Sequence, residues 1–220
     1  YIKKGKVHTL TATVNEIVEI FEHLGFSLIE NKYSPEVEVE KYNFDLLNTP
    51  KEHPARDVQD TYYAANAEHV VLRSQTSGAQ VHCMENQKPP IRIIAPGRVY
   101  RNESVSARKN NLFHQIEGLC VDKDVTFTDL KGTLNEFIRL YFGASRPTRF
   151  RNSFFPFTEP SAEVDVQCIM CGGKGCSTCS GTGWLEILGC GMVDPNVLKG
   201  VGIDSNVYSG FAFGMGVERL

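Results

Sequence analysis

The feature that most constrains the fold is a succession of short apolar and β-branched runs that have no regular helical segments between them. Neighbouring parallel strands need a long crossover, usually a helix, whereas antiparallel strands can follow one another directly. The chain therefore favours an antiparallel sheet flanked by helices, an α+β fold, over a doubly wound one. The predicted strands cover residues 26–30, 36–40, 70–73, 91–95, 97–101, 112–121, 154–157, 163–166 and 184–193.

Two segments carry apolar residues at helical spacing instead. In the first, Thr13 and Glu16 match a capping box and Gly25 matches a C′ glycine, so we predict a helix from Thr13 to just before Gly25. In the second, Thr128 is the predicted N-cap. The apolar stripes are Val14, Ile17, Val18, Phe21 and Leu24 in the first helix, and Leu130, Leu134, Phe137, Ile138 and Tyr141 in the second.

Length and charge narrow the class of protein. A chain of 220 residues can bury about 70% of its unfolded surface in one core, so folding as such requires neither a disulfide nor a metal. No run of 18 apolar residues and no charged-then-apolar leader is present, which argues against a membrane span or secretory signal and favours the cytoplasm. The net charge of −3 argues against binding long nucleic acid, DNA included, by bulk charge, while leaving room for a local basic groove.

Four of the seven cysteines form two Cys-x-x-Cys pairs, Cys168 with Cys171 and Cys176 with Cys179. Two such pairs can present four thiolates to one tetrahedral ion, and four sulfur ligands leave no position for a catalytic water. The pattern therefore predicts a structural zinc knuckle inserted at residues 167–183, with zinc favoured over iron. A redox or free-thiol cluster is the weaker alternative, because four crowded thiolates repel one another without a cation.

A predicted hairpin places polar side chains on one face of a strand. Phe113, Gln115 and Glu117 alternate along the strand and therefore share a face, opposite His114, Ile116 and Gly118. The aromatic ring can stack a base, the amide and carboxylate can receive an ammonium group, and Arg101 on the partner strand can bind an anion. A solvated strand with incidental charge explains the hairpin alone equally well.

Two further segments repeat this arrangement. Phe155 and Phe157 are spaced to share one face of a strand. Near the end of the chain, the face formed by Gly210, Ala212, Gly214 and Gly216 is nearly bare of side chains, and Arg219 follows it. Such a stripe indicates close approach by a ligand or by another segment of backbone. Close strand-to-helix packing would explain the glycines but not the arginine.

Together these segments resemble the class II aminoacyl-tRNA synthetases, and within them the family of bacterial phenylalanyl-tRNA synthetase α subunits. In that family Pro35 belongs to the first class II motif, the hairpin is the second, and GMGVER is the third. The matching phrases are HPARD at 53–57, PPIRIIAPGRVYRNE at 89–103, FHQIEGL at 113–119, FFPFTEPSAEVDV at 154–166, GWLEILGCGMVDPNVL at 183–198 and YSGFAFGMGVERL at 208–220.

The resemblance implies ATP-dependent activation of phenylalanine, then transfer to the terminal adenosine of tRNA(Phe). Arg101 would clamp the α-phosphate and the substrate carboxylate, and Phe113 and Arg219 would sandwich the adenine. Glu103 would receive the adenine amino group. Lys109 would contact phosphate, where relatives often have histidine, and Glu159 would bind Mg²⁺ beside the phosphates. Arg101 and Arg219 are thus the implied catalytic residues.

For the amino acid, the resemblance assigns the ammonium group to Ser77, Gln115 and Glu117. Phe155 and Phe157 would contact the phenyl ring, and Ala212 would form the floor of the pocket. Some relatives have histidine in place of Gln75. Some relatives lack the zinc knuckle altogether, and we therefore expect the knuckle to stabilise its own loop and to take no part in the chemistry.

The family works as an (αβ)2 heterotetramer with tRNA as a partner, and the alternating apolar strand at 36–40 and the helix near the N-terminus are the expected interface. The chain has no heptad segment before residue 13 and stops at Leu220, so we expect residues 1–220 to be a fragment of the catalytic domain that binds tRNA weakly.

Two alternatives remain, a non-catalytic class II paralogue that binds a nucleotide or protein, and a zinc-knuckle adaptor. The charged positions favour the enzyme, and the adaptor leaves most of the chain unexplained.

Overall fold

A computed structural model describes residues 5–103 and 110–220, and a seven-stranded sheet organises them. The strands are β1 (Ser27–Leu28), β2 (Val37–Val39), β3 (Val70–Leu72), β4 (Ile91–Tyr100), β5 (Leu112–Asp122), β6 (Thr148–Phe155), β7 (Thr158–Gln167), β8 (Trp184–Val193) and β9 (Ser209–Gly216). The order in the large sheet is β1-β4-β5-β9-β8-β7-β6, and β2 and β3 form a separate ribbon.

The sheet is mixed, where the sequence predicted an antiparallel one. Every pair is antiparallel except β1 with β4, which run parallel because the chain between them makes a long excursion through the ribbon. The predicted runs at 91–95 and 97–101 are one strand, β4, which pairs with β5 in a continuous register from Ile91↔Val121 to Tyr100↔Leu112. The hairpin is therefore confirmed.

The helices are α1 (Thr9–His23), α2 (Glu40–Asn43), α3 (Gly78–Asn86), α4 (Phe127–Phe142) and α5 (Pro195–Gly200). The predicted start of α1 at Thr13 is wrong, because His8 is the N-cap and its Nδ1 accepts from the Leu10 N–H at 3.2 Å. Gly25 does adopt the left-handed conformation, with φ +87°. The predicted cap at Thr128 is also wrong, because Thr126 and Asp129 form the capping box of α4.

The main core lies between the sheet and the pair α1 and α4. Phe21 of α1 stacks on Phe137 of α4 at 5.0 Å and on Phe213 of β9 at 4.9 Å between ring centroids. Gly118 makes room for this stack, because a Cβ there would lie 2.1 Å from the Phe213 ring. Alternation along β5 then turns Gln115 and Glu117 to the opposite face of the sheet, as predicted.

Strand β2 of the β2–β3 ribbon buries its acidic side chain and exposes its two valines. Val37 and Val39 are 60% and 38% exposed, whereas Glu38 is 8% exposed and accepts from His82 Nε2 at 2.7 Å. The predicted alternation is correct, and the free face of this strand is the apolar one. Among the described residues, no helix has both the length and the apolar character needed to cross a membrane.

Candidate active site

A cavity of about 720 Å³ opens on the sheet face opposite α1 and α4. It contains most of the side chains that the sequence predicted. Those that line it are Ser77, Arg101, Glu103, Phe113, Gln115, Glu117, Phe155, Phe157, Ala212 and Arg219. Segments as distant as the loop at His53 and the last residues of the chain therefore meet at one place.

At the buried end of the cavity, Glu117 is 3% exposed and accepts from Gln80 Nε2 at 2.8 Å. Burial raises the pKa of Glu117 to about 7, although hydrogen bonds from Ser77 and Gln80 act in the opposite direction. The carboxylate thus has neutral donors around it, and a cation that entered the cavity would favour its ionised form. Sequence reasoning missed Gln80, because a buried helical glutamine carries no local signal.

Gln115 lies beside Glu117 on β5, and its Oε1 accepts from the Thr76 N–H at 3.4 Å. Both side chains lie over Gly214 of the neighbouring strand β9. A Cβ at Gly214 would lie 2.9 Å from Gln115 Nε2 and 3.1 Å from Glu117 Cγ. This glycine therefore allows the close approach that the bare stripe predicted.

Phe155 and Phe157 stack, with ring centroids 5.8 Å apart and ring planes at 9°. They do not alternate along one strand as predicted, because β6 ends at Phe155 and Pro156 and Phe157 form the turn to β7. Asn48 fixes this turn by donating from Nδ2 to the Pro156 carbonyl at 2.8 Å, and it does so from the left-handed conformation, with φ +54°. Sequence reasoning missed Asn48, although asparagine tolerates positive φ better than most residues.

The open end of the cavity carries cations. The Arg101 guanidinium lies 5.0 Å from the Phe113 ring centroid, and no carboxylate within the described part of the chain forms an ion pair with it. Desolvation between the cavity walls lowers the pKa of Arg101. The negative charges of Glu103 and Glu117 act in the opposite direction, and the positive charge of Arg219 lowers the pKa further. Arg219 itself pairs with Glu186 of β8 at 2.8 Å and is 61% exposed.

One predicted residue does not line the cavity, and another falls outside the described residues. Glu159 is exposed and does not line it, because Thr158 and Ser161 are hydrogen bonded to each other at 2.7 Å and the irregular register between them turns Glu159 outward. Glu163 and Glu186, which the sequence reasoning did not single out, line the cavity instead. Lys109, with its neighbour Arg108, lies outside the described residues.

The four cysteines of the cluster converge at the end of the β7–β8 hairpin. Their Sγ atoms all lie within 4.8 Å of one another, and the pairs 168–176, 171–179 and 176–179 are each 3.8 Å apart. The Gly175 and Gly183 N–H groups donate to Cys171 and Cys179 Sγ, each at 3.2 Å. The residues present therefore fit a four-thiolate metal site.

The cluster consists of two repeats of Cys-x-x-Cys-x-Gly-x-Gly, at 168–175 and 176–183, which sequence reasoning missed. Their last glycines make equivalent contacts. A Cβ at Gly175 would lie 2.6 Å from the Gly181 carbonyl oxygen, and one at Gly183 would lie 2.3 Å from that of Gly173. The two halves of the knuckle therefore pack against each other through backbone, where only glycine fits.

Comparison with known proteins identifies the class first. The chain matches the family of tRNA synthetases class II core domain (F) over residues 1–220, and it belongs to that family. A solved pyrrolysyl-tRNA synthetase from Desulfitobacterium hafniense shares the fold, with a TM-score of 0.67 at 15% identity over 96% of this chain and 67% of that one.

More specific relatives are phenylalanine–tRNA ligase α subunits. The chain is 56% identical to that of Gloeobacter violaceus over 220 residues and 56% identical to that of Caldicellulosiruptor bescii over 219 residues. All of this chain is covered in both comparisons, and it spans 63% of the length of each relative. The resemblance found in the sequence phrases is thus confirmed.

Proposed function

We propose that this chain is the catalytic core of a phenylalanine–tRNA ligase α subunit, which activates L-phenylalanine with ATP and transfers it to the terminal adenosine of tRNA(Phe). The observation that carries the proposal is one cavity that joins a buried carboxylate and two stacked phenyl rings to the Arg101 guanidinium, which lies over the Phe113 ring. The 56% identity to α subunits of that name supports the choice of amino acid.

The buried end takes the amino acid. Glu117, with Gln115 and Ser77 beside it, receives the ammonium group, and ionic hydrogen bonds of this kind are the strong ones. Phe155 and Phe157 pack against the phenyl ring of the substrate through offset or edge contacts. Ala212 forms the floor, where a methyl group leaves space for an unsubstituted ring.

The open end takes the nucleotide. Phe113 and Arg219 stack on the adenine, Glu103 receives its amino group, and Arg101 binds the α-phosphate. The substrate carboxylate attacks the α-phosphorus, a new oxygen–phosphorus bond forms, and pyrophosphate leaves with the electrons of the broken bond. Because the substrate supplies the nucleophile, the protein contributes positioning and stabilisation of the charge that develops at phosphorus.

ATP is proposed to arrive with Mg²⁺, which prefers oxygen ligands. The carboxylates of Glu163 and Glu186 line the cavity and are of the right type, whereas the position of Glu159 does not support a role beside the phosphates. Magnesium would neutralise phosphate charge, and Arg101 supplies the fixed positive charge of the chain itself.

Zinc is the proposed occupant of the four-cysteine knuckle. A tetrahedral ion with zinc–sulfur bonds of about 2.3 Å places its ligands about 3.8 Å apart, the spacing of three of the Sγ pairs. With four sulfur ligands the role is structural. One equivalent of tightly bound zinc per chain is the expected result of metal analysis, and a chain purified with zinc in the buffer but free of it would contradict the assignment.

The partners proposed from the family are a β subunit, in an (αβ)2 assembly, and tRNA, in the cytoplasm. The outward-facing Val37 and Val39 support a subunit contact on the β2–β3 ribbon, because exposed apolar patches mark interaction surfaces.

The test is amino-acid-dependent exchange of pyrophosphate into ATP, measured on the full α subunit together with its β subunit. Exchange with phenylalanine, and far less with tyrosine or leucine, is expected. Nucleotide binding without exchange would contradict the proposal and favour the non-catalytic paralogue.

A further inference from the structure

The ladder between β5 and β9 ends at the pair Gln115↔Gly216, one residue before the chain leaves the sheet. Val217–Arg219 then forms a short 3-10 helix, so no strand follows to accept from the next N–H of β5. That N–H belongs to His114, and it donates to both oxygens of Glu218, at 2.9 and 3.0 Å. A side-chain carboxylate thus replaces the missing backbone carbonyl.

The imidazole of His114 strengthens this link. His114 Nδ1 lies 2.8 Å from Glu218 Oε1, and because a carboxylate can only accept, the imidazole donates. One carboxylate therefore holds both the backbone and the side chain of a single residue, across 104 positions of sequence. Among the described residues, no other side-chain hydrogen bond joins these two segments.

The residues next to the link both line the cavity. Phe113 precedes His114, and Arg219 follows Glu218. Each has a separate partner, since the Phe113 ring faces Arg101 and the Arg219 guanidinium pairs with Glu186. Beyond the end of the β5–β9 ladder, the His114–Glu218 link thus ties together the two segments that carry Phe113 and Arg219.

We propose that the His114–Glu218 link is a positioning device for the nucleotide base, setting the spacing between the Phe113 ring and the Arg219 guanidinium. This inference rests on the proposed function, in which those two groups stack on adenine. A flat base binds well between two surfaces only when they are held parallel and at a fixed separation before it arrives, because ordering a long arginine side chain on binding costs affinity. His114 and Glu218 act by holding their neighbours in place and are positioning residues, although Glu218 itself also lines the cavity.

Three variants of the α subunit in its complex with the β subunit test this. Glu218→Ala removes all three contacts, Glu218→Gln keeps an oxygen that can accept from the His114 N–H, and His114→Ala removes only the imidazole bond. Equilibrium titration with ATP should show affinity lowered about tenfold or more for Glu218→Ala, with smaller losses for the other two, and the KM for phenylalanine should stay within about twofold.

The control is His69→Asn, which breaks another histidine–glutamate pair, that with Glu40, away from the cavity, and should change neither affinity. Unchanged ATP affinity in Glu218→Ala would overturn the proposal, and so would equal losses of ATP and phenylalanine affinity together with a lower Tm. A wild-type complex that binds ATP but does not activate phenylalanine would overturn the proposed function alone, because the ATP titrations still test the link.

Discussion

The two ends of the cavity handle charge in opposite ways. At the buried end Glu117 is 3% exposed, neutral donors surround it, and burial raises its pKa to about 7. At the open end the Arg219 side chain is 61% exposed and pairs with Glu186 at 2.8 Å. The ionised form of the carboxyl group is therefore disfavoured at the buried end, whereas the charged guanidinium lies at the end that water reaches. Both follow from the cost of desolvating an ion.

Under the proposed function, this difference explains how one cavity distinguishes the amino acid from the nucleotide. A small molecule with one ammonium group and a phenyl ring can ionise the buried carboxylate and bury its own apolar surface. A triphosphate cannot give up its hydration at that end, and it finds cations at the other. The predictions below separate the two ends, in order of decreasing effect.

Replacing Arg101 tests the open end most severely. Arg101→Ala is expected to lower the rate of adenylate formation by about 10²–10³, since it removes the charge that faces the transition state. Arg101→Lys should recover only part of the rate, because an ammonium group lacks the planar fork of the guanidinium. Single-turnover kinetics with saturating phenylalanine measure this, and a loss of less than about threefold in Arg101→Ala would contradict the assigned role.

Replacing Glu117 tests the buried end. Glu117→Gln is isosteric and is expected to weaken phenylalanine binding by about 10–100-fold, the contribution of hydrogen bonds to a charged group. ATP affinity should not change, and Tm should not fall, because the variant removes a carboxyl that is costly to bury. Calorimetric titration of both substrates provides the measurement, and parallel losses for the two would mean that the ends are not independent.

The pH dependence of phenylalanine affinity should follow Glu117. Its raised pKa, about 7, keeps part of the population protonated at neutral pH, and the ammonium group of the ligand requires the ionised form. Affinity should therefore rise about tenfold between pH 6 and pH 8, with release of a proton on binding. The rise should be absent in Glu117→Gln, and a flat profile in the wild type would show that Glu117 is already ionised.

The smallest change concerns the floor of the buried end. Ala212→Gly is expected to admit para-chlorophenylalanine, with discrimination against it reduced by about tenfold, the scale of one small group in an apolar pocket. Competitive activation assays with phenylalanine measure the ratio. Unchanged discrimination would place the ring of the substrate elsewhere in the cavity.

Those parts of the molecule that depend on local patterns could be predicted. The β4–β5 hairpin follows from alternation over adjacent strands, and the faces of Gln115 and Glu117 follow with it. The four cysteines lie within one short segment, so their convergence could be predicted from spacing alone. In both cases the residues that meet are close in sequence or are fixed by the period of a single strand.

The residues that sequence reasoning missed act over long distances. Gln80 reaches Glu117 across 37 positions, and Asn48 reaches the Pro156 carbonyl across 108. No periodicity links such pairs, because the sheet order that joins them is not a property of either segment. The predicted helix N-caps were wrong for a different reason. Thr13 and Thr128 match capping patterns as well as the observed caps, His8 and the Thr126–Asp129 pair, do, and the sequence alone does not choose between them.

The most direct test of the account is calorimetric titration of the zinc-loaded α chain, together with its β subunit, with a non-hydrolysable phenylalanyl-adenylate analogue and its tyrosyl and leucyl counterparts. The analogue spans both ends of the cavity at once. The account predicts tight binding of the phenylalanyl compound and weaker binding of the tyrosyl one, by a factor on the order of 10². Equal affinity for all three, or no binding of the phenylalanyl compound, would contradict it.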